Sequence, residues 1–322
     1  MTNRRTESIG AYIELTKPRI IELLLITTVP AMAVAAMGWP GLRDVLIALI
    51  GGTFAAGGAN VINQVYDADI DEVMNRTSGR PLPTGRVSGT GALAFGIVLG
   101  ALGFVVLSVG TTLLAGVLSA IAYLGYVFIY TMLLKRSSTQ NIVLGGAAGA
   151  VPALIGWAAV TGDLSVAAWI MFAIIFYWTP PHFWALSLKY EDDYRAAEIP
   201  MLPVIAGEEA TFDLIIGYSV VTTGVSLLLI PTASMGWIYA VVAVAGGLAL
   251  VSAAVRLRSN RSMAMRYFGF TNVYLALVFL AMLLDRVILE ASVGLDPIWR
   301  IAGAVAALAG IAFVASIERR PG

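Results

Sequence analysis

Two stretches of this chain, residues 87 to 134 and 214 to 255, contain no Asp, Glu, Lys, Arg or His. Each is long enough for two bilayer crossings of about 20 residues. Apolar runs of that length cannot supply the alternating strands of roughly ten residues that a membrane barrel needs. A helix satisfies its own backbone in lipid, so the chain is predicted to be all-α, a polytopic membrane bundle. Composition agrees: 59% of the 322 residues are hydrophobic and 12% charged, against roughly 25% charged in soluble domains. Lys and Arg number 20, as do Asp and Glu. That balance leaves no net field to attract nucleic acid, so a nucleic-acid reader is excluded. There is no cysteine and a single histidine, His182, which removes disulfides, thiolate metal sites and iron–sulfur clusters. Any metal must be held by oxygen or by His182.

Apolar segments lie near residues 20–38, 45–66, 90–109, 112–134, 140–160, 166–188, 212–230, 236–255, 267–285 and 299–317. They predict nine membrane helices and a tenth in the C-terminal segment. The first contains AMAVAA but is a full span in length, and is read as retained. With the N-terminus in the cytoplasm, every Lys and Arg except Arg43, Arg286 and Arg300 falls on the cytoplasmic side, as the positive-inside rule requires. The expected organisation is a cytoplasmic N-terminal segment (1–19), a transmembrane domain (20–288) and a C-terminal segment (289–322). The long charged connections, about 66–90 and 189–211, share the cytoplasmic face, and function is expected there. Gly145, Gly146, Gly149 and Gly156 read as small residues for close helix packing.

The second segment ends in NVINQVYDADIDEVMNRTSGRPLPTGR. Asn63, Asp67 and Asp71 are spaced i, i+4 and i+8 and share one face if the helix continues, climbing roughly 12 Å, while Asp69 points elsewhere. Carboxylates without clustered histidines suit Mg2+, which takes one or two of them together with phosphate oxygens. Arg76 and Arg80 follow, and the planar guanidinium pairs bidentately with phosphate. Taken alone, the pattern reads equally as a solvated acidic helix end. The sixth segment, FYWTPPHFWALSLKYEDDYR, supplies a second acidic exit with Lys189 and Asp193. Those two also read as an ordinary i, i+4 ion pair. Pro180 and Pro181 are expected to break the helix beside a cavity lined by Trp178, Phe183 and Trp184, for which core packing is the competing reading. His182 is either a hydrogen-bonded core residue or a contact to a ligand.

These motifs, with LTKPRIIELLLITTVPAM at 15–32, QNIVLGGAAGAVPALIGWAAVTG, WTPPHFWALSL, DYRAAEIPMLPV and FGFTNVYLALVFLAMLLD at 268–285, resemble the UbiA-type intramembrane prenyltransferases, and within them the branch that farnesylates heme. The resemblance implies Mg2+-dependent transfer of farnesyl from farnesyl diphosphate to a vinyl group of heme B, with water added and diphosphate released. It implies Asn63, Asp67, Asp71 and Asp193 as metal ligands and Asp67, Asp71, Lys189 and Asp193 as catalytic. Asn63, Arg76, Arg80, Lys135 and Lys189 would bind diphosphate, while His182, Trp178 and Trp184 would contact heme. The implied setting is the plasma-membrane lipid bilayer, with heme A synthase or terminal oxidase assembly as partner. Asp69, Tyr66 and His182 are candidates to hold the quenching water. Two departures stand out: Gln64 replaces an Asp that often follows the Asn, and Glu198 replaces a Gly before IPMLP. Another aromatic or tetrapyrrole acceptor stays open, because the acidic exits read only the donor. A secondary transporter also stays open, although transporters place ionisable groups near the midplane and these acids sit at helix ends.

Overall fold

The computed structural model describes residues 4–289. The expected tenth span, at 299–317, lies outside the described residues. Every regular element within them is helical: α1 (Arg4–Leu15), α2 (Pro18–Ala35), α3 (Leu42–Tyr66), α4 (Ala68–Val73), α5 (Gly89–Gly110), α6 (Leu113–Leu124), α7 (Asn141–Thr161), α8 (Val166–Lys189), α9 (Glu191–Ala196), α10 (Leu202–Thr232), α11 (Trp237–Ser259) and α12 (Ala264–Leu284). π-Helical stretches continue α6 over Gly125–Leu134 and α12 over Asp285–Leu289. Among the described residues, eight helical stretches have the length and apolarity to cross a bilayer. The 18-residue α2 makes nine helices in the bundle. The chain is a multi-pass membrane protein.

Local sequence sets where several spans begin. Ser88, Thr112 and Ser165 cap α5, α6 and α8 by accepting from the backbone N–H of Gly91, Ala115 and Ala168, which satisfies donors a helix start leaves open. Lipid is as apolar as leucine, so close packing and polar ties must hold the spans together. The α3–α5 pair shows the packing. A Cβ on Gly58 would lie 2.6 Å from the Gly96 carbonyl oxygen and 2.8 Å from the Gly100 nitrogen, and one on Gly103 would lie 2.7 Å from Ala55 N. Between α10 and α12 the ties are hydroxyls seven residues apart on each helix: Ser219 with Tyr267 at 2.7 Å and Ser226 with Tyr274 at 2.9 Å. The predicted small-residue face on α7 divides. Gly145, Gly146 and Gly156 are crowded by Tyr130, Thr179 and Thr28, whereas nothing lies within 4 Å of a Cβ at Gly149.

One expectation is corrected. The double proline does not break α8, which runs through Pro180 and Pro181 as one helix from Val166 to Lys189. A proline costs a helix its N–H bond but has a helical φ, and both rings here are buried against neighbouring helices. The aromatic residues around them are packed rather than lining an open chamber: Trp178 and Trp184 are buried and belong to the main core with α10 and α12.

Gly58→Ala should destabilise the detergent-solubilised protein by about 1–3 kcal/mol, since its Cβ meets backbone that cannot rotate away. Gly149→Ala should be neutral or stabilising by up to about 1 kcal/mol through helix propensity. Thermal unfolding followed by circular dichroism checks both.

Candidate active site

The helix α3 ends at Tyr66, and Asp67 turns the chain into α4. The i to i+4 hydrogen bonds nevertheless continue, from Asp67 N to Asn63 O at 2.9 Å and from Asp71 N to Asp67 O at 2.8 Å. Asn63, Asp67 and Asp71 therefore stay on one face, as their spacing requires. All three are buried, and Asp67 is 0% exposed. Asp69 faces outward and takes a two-pronged contact from Arg136 at 2.7 and 2.8 Å. That contact holds the Asp69 carboxyl below its ordinary range and raises Arg136.

Each buried acid meets a cation. Arg80 donates from Nη1 to both Asp71 oxygens, at 2.8 and 2.7 Å. Lys135 donates to Asp67 Oδ2, which also accepts from Asn63 Nδ2 at 2.7 Å. The π-helical register carries Lys135 here: its backbone N–H bonds to Tyr130 O, five residues back, at 2.8 Å. In the same stretch Thr131 accepts from Asn63 Nδ2 at 3.2 Å. π-Helical turns recur at functional sites because they aim side chains that an α-helix would place elsewhere. The Asn63 amide is completed by Lys17, which donates to its Oδ1 at 2.9 Å. Burial, with Arg80 and Lys135 close by, lowers the Lys17 ammonium to about 7 despite the opposing pull of Asp67 and Asp71.

The second exit lies over the first. Asn75 Nδ2 donates to Asp193 Oδ1 at 3.1 Å, and Arg76 stacks 5.6 Å from the centre of the Tyr190 ring. An apolar cluster of Ile70, Met74, Ile142, Tyr194, Ile199 and Met201 fastens the two connections together. Burial pushes the Tyr194 phenol up, against the pull of Arg76 and Arg80. The two acidic exits thus meet, but Asp193 stands at the Asn75 contact, and among the described residues no three Asp, Glu or His side chains converge as a metal cluster. Lys189 does not join the Arg80 and Lys135 contacts. It is exposed beside Arg261, Ser262 and Met265, where the end of α8 meets the start of α12.

His182 lies inside an aromatic stack, 4.4 Å from Trp178 and 4.2 Å from Phe268 between ring centres, with Nδ1 2.7 Å from the Thr271 hydroxyl. Trp178 donates to Thr271 O at 2.7 Å. Trp184 packs edge-on to Tyr218 at 5.3 Å. Of the residues considered for the quenching water, Asp69 and Tyr66 are both engaged by Arg136, the latter as a ring 4.9 Å from the guanidinium. The two departures find structural explanations. Gln64 donates to Leu15 O at 2.6 Å, and Glu198 has φ 53°, the left-handed conformation for which glycine is the natural choice.

A metal fits the donor set at the first exit. Asp67 Oδ1 is buried with no hydrogen bond, Arg136 Nη2 standing 3.9 Å away. A second buried carboxylate, Asp71, follows one turn on. One unsatisfied carboxylate oxygen beside a second carboxylate held only by Arg80 suits Mg2+ completed by phosphate oxygens and water.

Residues 24–274 match the model of the UbiA prenyltransferase family, and the chain belongs to that family. It is 50% identical over 285 residues to a protein named protoheme IX farnesyltransferase 1 from Saccharopolyspora erythraea, covering 87% of this chain and 91% of that one. It is 49% identical to the protoheme IX farnesyltransferase of Gloeobacter violaceus, covering 89% and 95%. Among solved structures, a digeranylgeranylglyceryl phosphate synthase superposes with a TM-score of 0.73 at 18% identity, covering 87% of this chain and 99% of that one. A UbiA homologue from Archaeoglobus fulgidus bound to GPP and Mg2+ gives 0.61 at 14%, covering 85% and 99%. These last two likenesses concern the fold.

Glu198→Gly should raise stability by about 0.5–1 kcal/mol, the relief of a left-handed side-chain residue less the added freedom of the unfolded chain. Asp69→Asn, which loses a largely exposed pair, should cost under about 1 kcal/mol. Its contribution is present at neutral pH and fades only as pH falls through the carboxyl's lowered range. Chemical denaturation in detergent at pH 7 and pH 4 tests both statements.

Proposed function

We propose that this chain transfers the farnesyl group of farnesyl diphosphate to a vinyl group of heme B, with addition of water, giving heme O and diphosphate. The single observation that carries the reaction type is the pair of buried carboxylates, Asp67 and Asp71, ringed by Arg80, Lys135 and Lys17 at the mouth of an apolar bundle. The acceptor rests on the near-50% identity to proteins named protoheme IX farnesyltransferase over most of both chains.

In this reading Asp67 and Asp71 hold Mg2+. When bound, that ion supplies electrophilic stabilisation of the departing diphosphate. The chain's own residues do the rest. With Mg2+ held by the acids, Arg80 and Lys135 would be free to bind the diphosphate oxygens, and Arg76, which stacks on Tyr190 of the second exit, would close over them from the first. Fixed cations in a water-poor site oppose the charge that develops as the allylic C–O bond breaks. The cluster of Ile70, Met74, Tyr194 and Met201 keeps bulk water from the farnesyl cation. The vinyl group's terminal carbon attacks that cation. Water then adds to the resulting cation beside the porphyrin and loses a proton, so one water is consumed for each diphosphate released. Asp193, through Asn75, sets the second exit over the first. His182, Trp178 and Trp184 brace the α8 wall of the acceptor space against α10 and α12. The charged connections face the cytoplasm of a plasma membrane, consistent with the side on which basic residues gather.

Incubating the purified protein with heme B, farnesyl diphosphate and Mg2+ should yield hydroxyethylfarnesyl heme and diphosphate by mass spectrometry, and chelator should abolish both. Asp67→Asn should lower kcat at least a hundredfold while leaving the protein folded. Diphosphate release with unmodified heme would redirect the reading to another aromatic or tetrapyrrole acceptor.

A further inference from the structure

The end of α8 and the start of α12 enclose a cleft of about 610 Å3, within the range of small-molecule sites. Leu188, Ala264 and Met265 line it with apolar surface, and Lys189, Arg261 and Ser262 with hydrogen-bond donors. The cleft lies on the seam that carries the aromatic stack. Lys189 follows His182 by seven residues, two turns, and so shares its face of α8, about 10 Å nearer the charged end of the helix. On α12, Met265 precedes Phe268 by three residues, and Phe268 is the ring stacked 4.2 Å from His182.

The charges around this cleft do not cancel. Its neighbouring acids, Glu191 and Glu208, are both met by Arg261, and Glu191 also takes Arg195 at 2.6 Å. Arg261 further donates to Leu188 O at 2.8 Å, which fixes its guanidinium against the last turn of α8. All of these contacts use its Nη atoms, so the Nε hydrogen is left over. Lys189 differs from every cation of the first exit. Among the described residues it forms no ion pair and no hydrogen bond, and Asp193, four residues on, is held by Asn75 instead. An ammonium unanswered by any acid, set beside apolar surface, fits an anion that has an apolar body.

The acceptor of the proposed reaction has that chemistry. Heme B carries two propionate carboxylates on one edge of a flat apolar macrocycle and its vinyl groups on the other. A carboxylate is costly to bury unpaired, so the propionate edge must stay at the charged helix ends while the vinyl edge enters the apolar interior. We infer that Lys189 is a substrate-binding residue whose ammonium pairs with a propionate of the acceptor, with Arg261 Nε–H as a second donor to the same edge. Lys189 thereby serves the acceptor and not the diphosphate. This rests on the heme reading above.

Heme B and its dimethyl ester, in which both propionates are uncharged, separate this contact from packing of the macrocycle. Purified protein in detergent is titrated with each compound while the Soret absorbance is followed, and initial rates with farnesyl diphosphate and Mg2+ give the KM values. Wild-type protein should bind the diacid at least about fivefold more tightly than the ester, as for one charge-assisted contact. Lys189→Met should raise Kd and KM for heme B by a similar factor and leave Kd for the ester and KM for farnesyl diphosphate within twofold. Lys189→Arg, which keeps the charge, should recover most of the loss. Equal binding of diacid and ester by wild-type protein that still forms product overturns the proposal, whether or not the variant folds. A Lys189→Met enzyme weakened equally toward both compounds also overturns it and marks a packing role. A rise in KM for farnesyl diphosphate alone overturns it and returns Lys189 to the diphosphate. Wild-type protein that shifts the Soret band of neither compound removes the heme reading, and this subsite with it.

Discussion

A carboxylate closed off from solvent at the end of an apolar bundle has to be compensated, and the surroundings of Asp67 are organised by that requirement. An unpaired buried charge costs several kcal/mol, and removing one partner of a buried pair is more damaging than never having built the pair. Asp67 therefore draws in Lys135 and the Asn63 amide at one oxygen, while Arg136 stands 3.9 Å from the other. Lys135 arrives from the π-helical end of α6, Asn63 from α3, and Lys17, through Asn63, from the turn before α2. One carboxylate thus fixes the relative setting of three membrane helices at their charged ends.

The same compensation leaves the site ready for an anion. With Asp67, Asp69 and Asp71 each paired to a cation, the first exit carries no large uncompensated negative field. In the proposed function a divalent ion held by Asp67 and Asp71 would release Lys135 and Arg80 to phosphate oxygens, so that metal and diphosphate would favour each other's binding. Neither has a complete set of partners alone, since two carboxylates leave most of a six-coordinate shell to phosphate and water.

The bundle was legible in the sequence because its signals are long and local. Charge-free runs fix the spans, and an i, i+4, i+8 pattern survives a helix end so long as the hydrogen bonds continue, as they do through Asp67. What was illegible depends on contacts between distant segments. Lys17 reads as one more basic residue before a span; only the fold shows that Asn60, Asn63 and Gln64 point at its turn. Lys189 lies near Asp193 in sequence, yet the last turn of α8 presents it to the start of α12. The prolines misled for a different reason. A missing N–H is a local fact, whereas the burial that accompanies the prolines belongs to the tertiary fold. Glu198 marks the middle ground: its oddity was visible against IPMLP, and φ 53° supplies the cause.

The stack around His182 shows how a lone ionisable residue can sit deep in such a bundle without doing acid–base chemistry. Trp178 and Phe268 cover its two faces, and Thr271 hydrogen-bonds to Nδ1 while also donating to Phe268 O at 2.7 Å. The ring acts as a flat, polar-edged wedge between α8 and α12. Through Trp178 the same Thr271 accepts a second tie from α8. In the proposed function the histidine would bear on the acceptor by bracing a wall, while the charges that open the farnesyl–oxygen bond would be carried by residues at the helix ends.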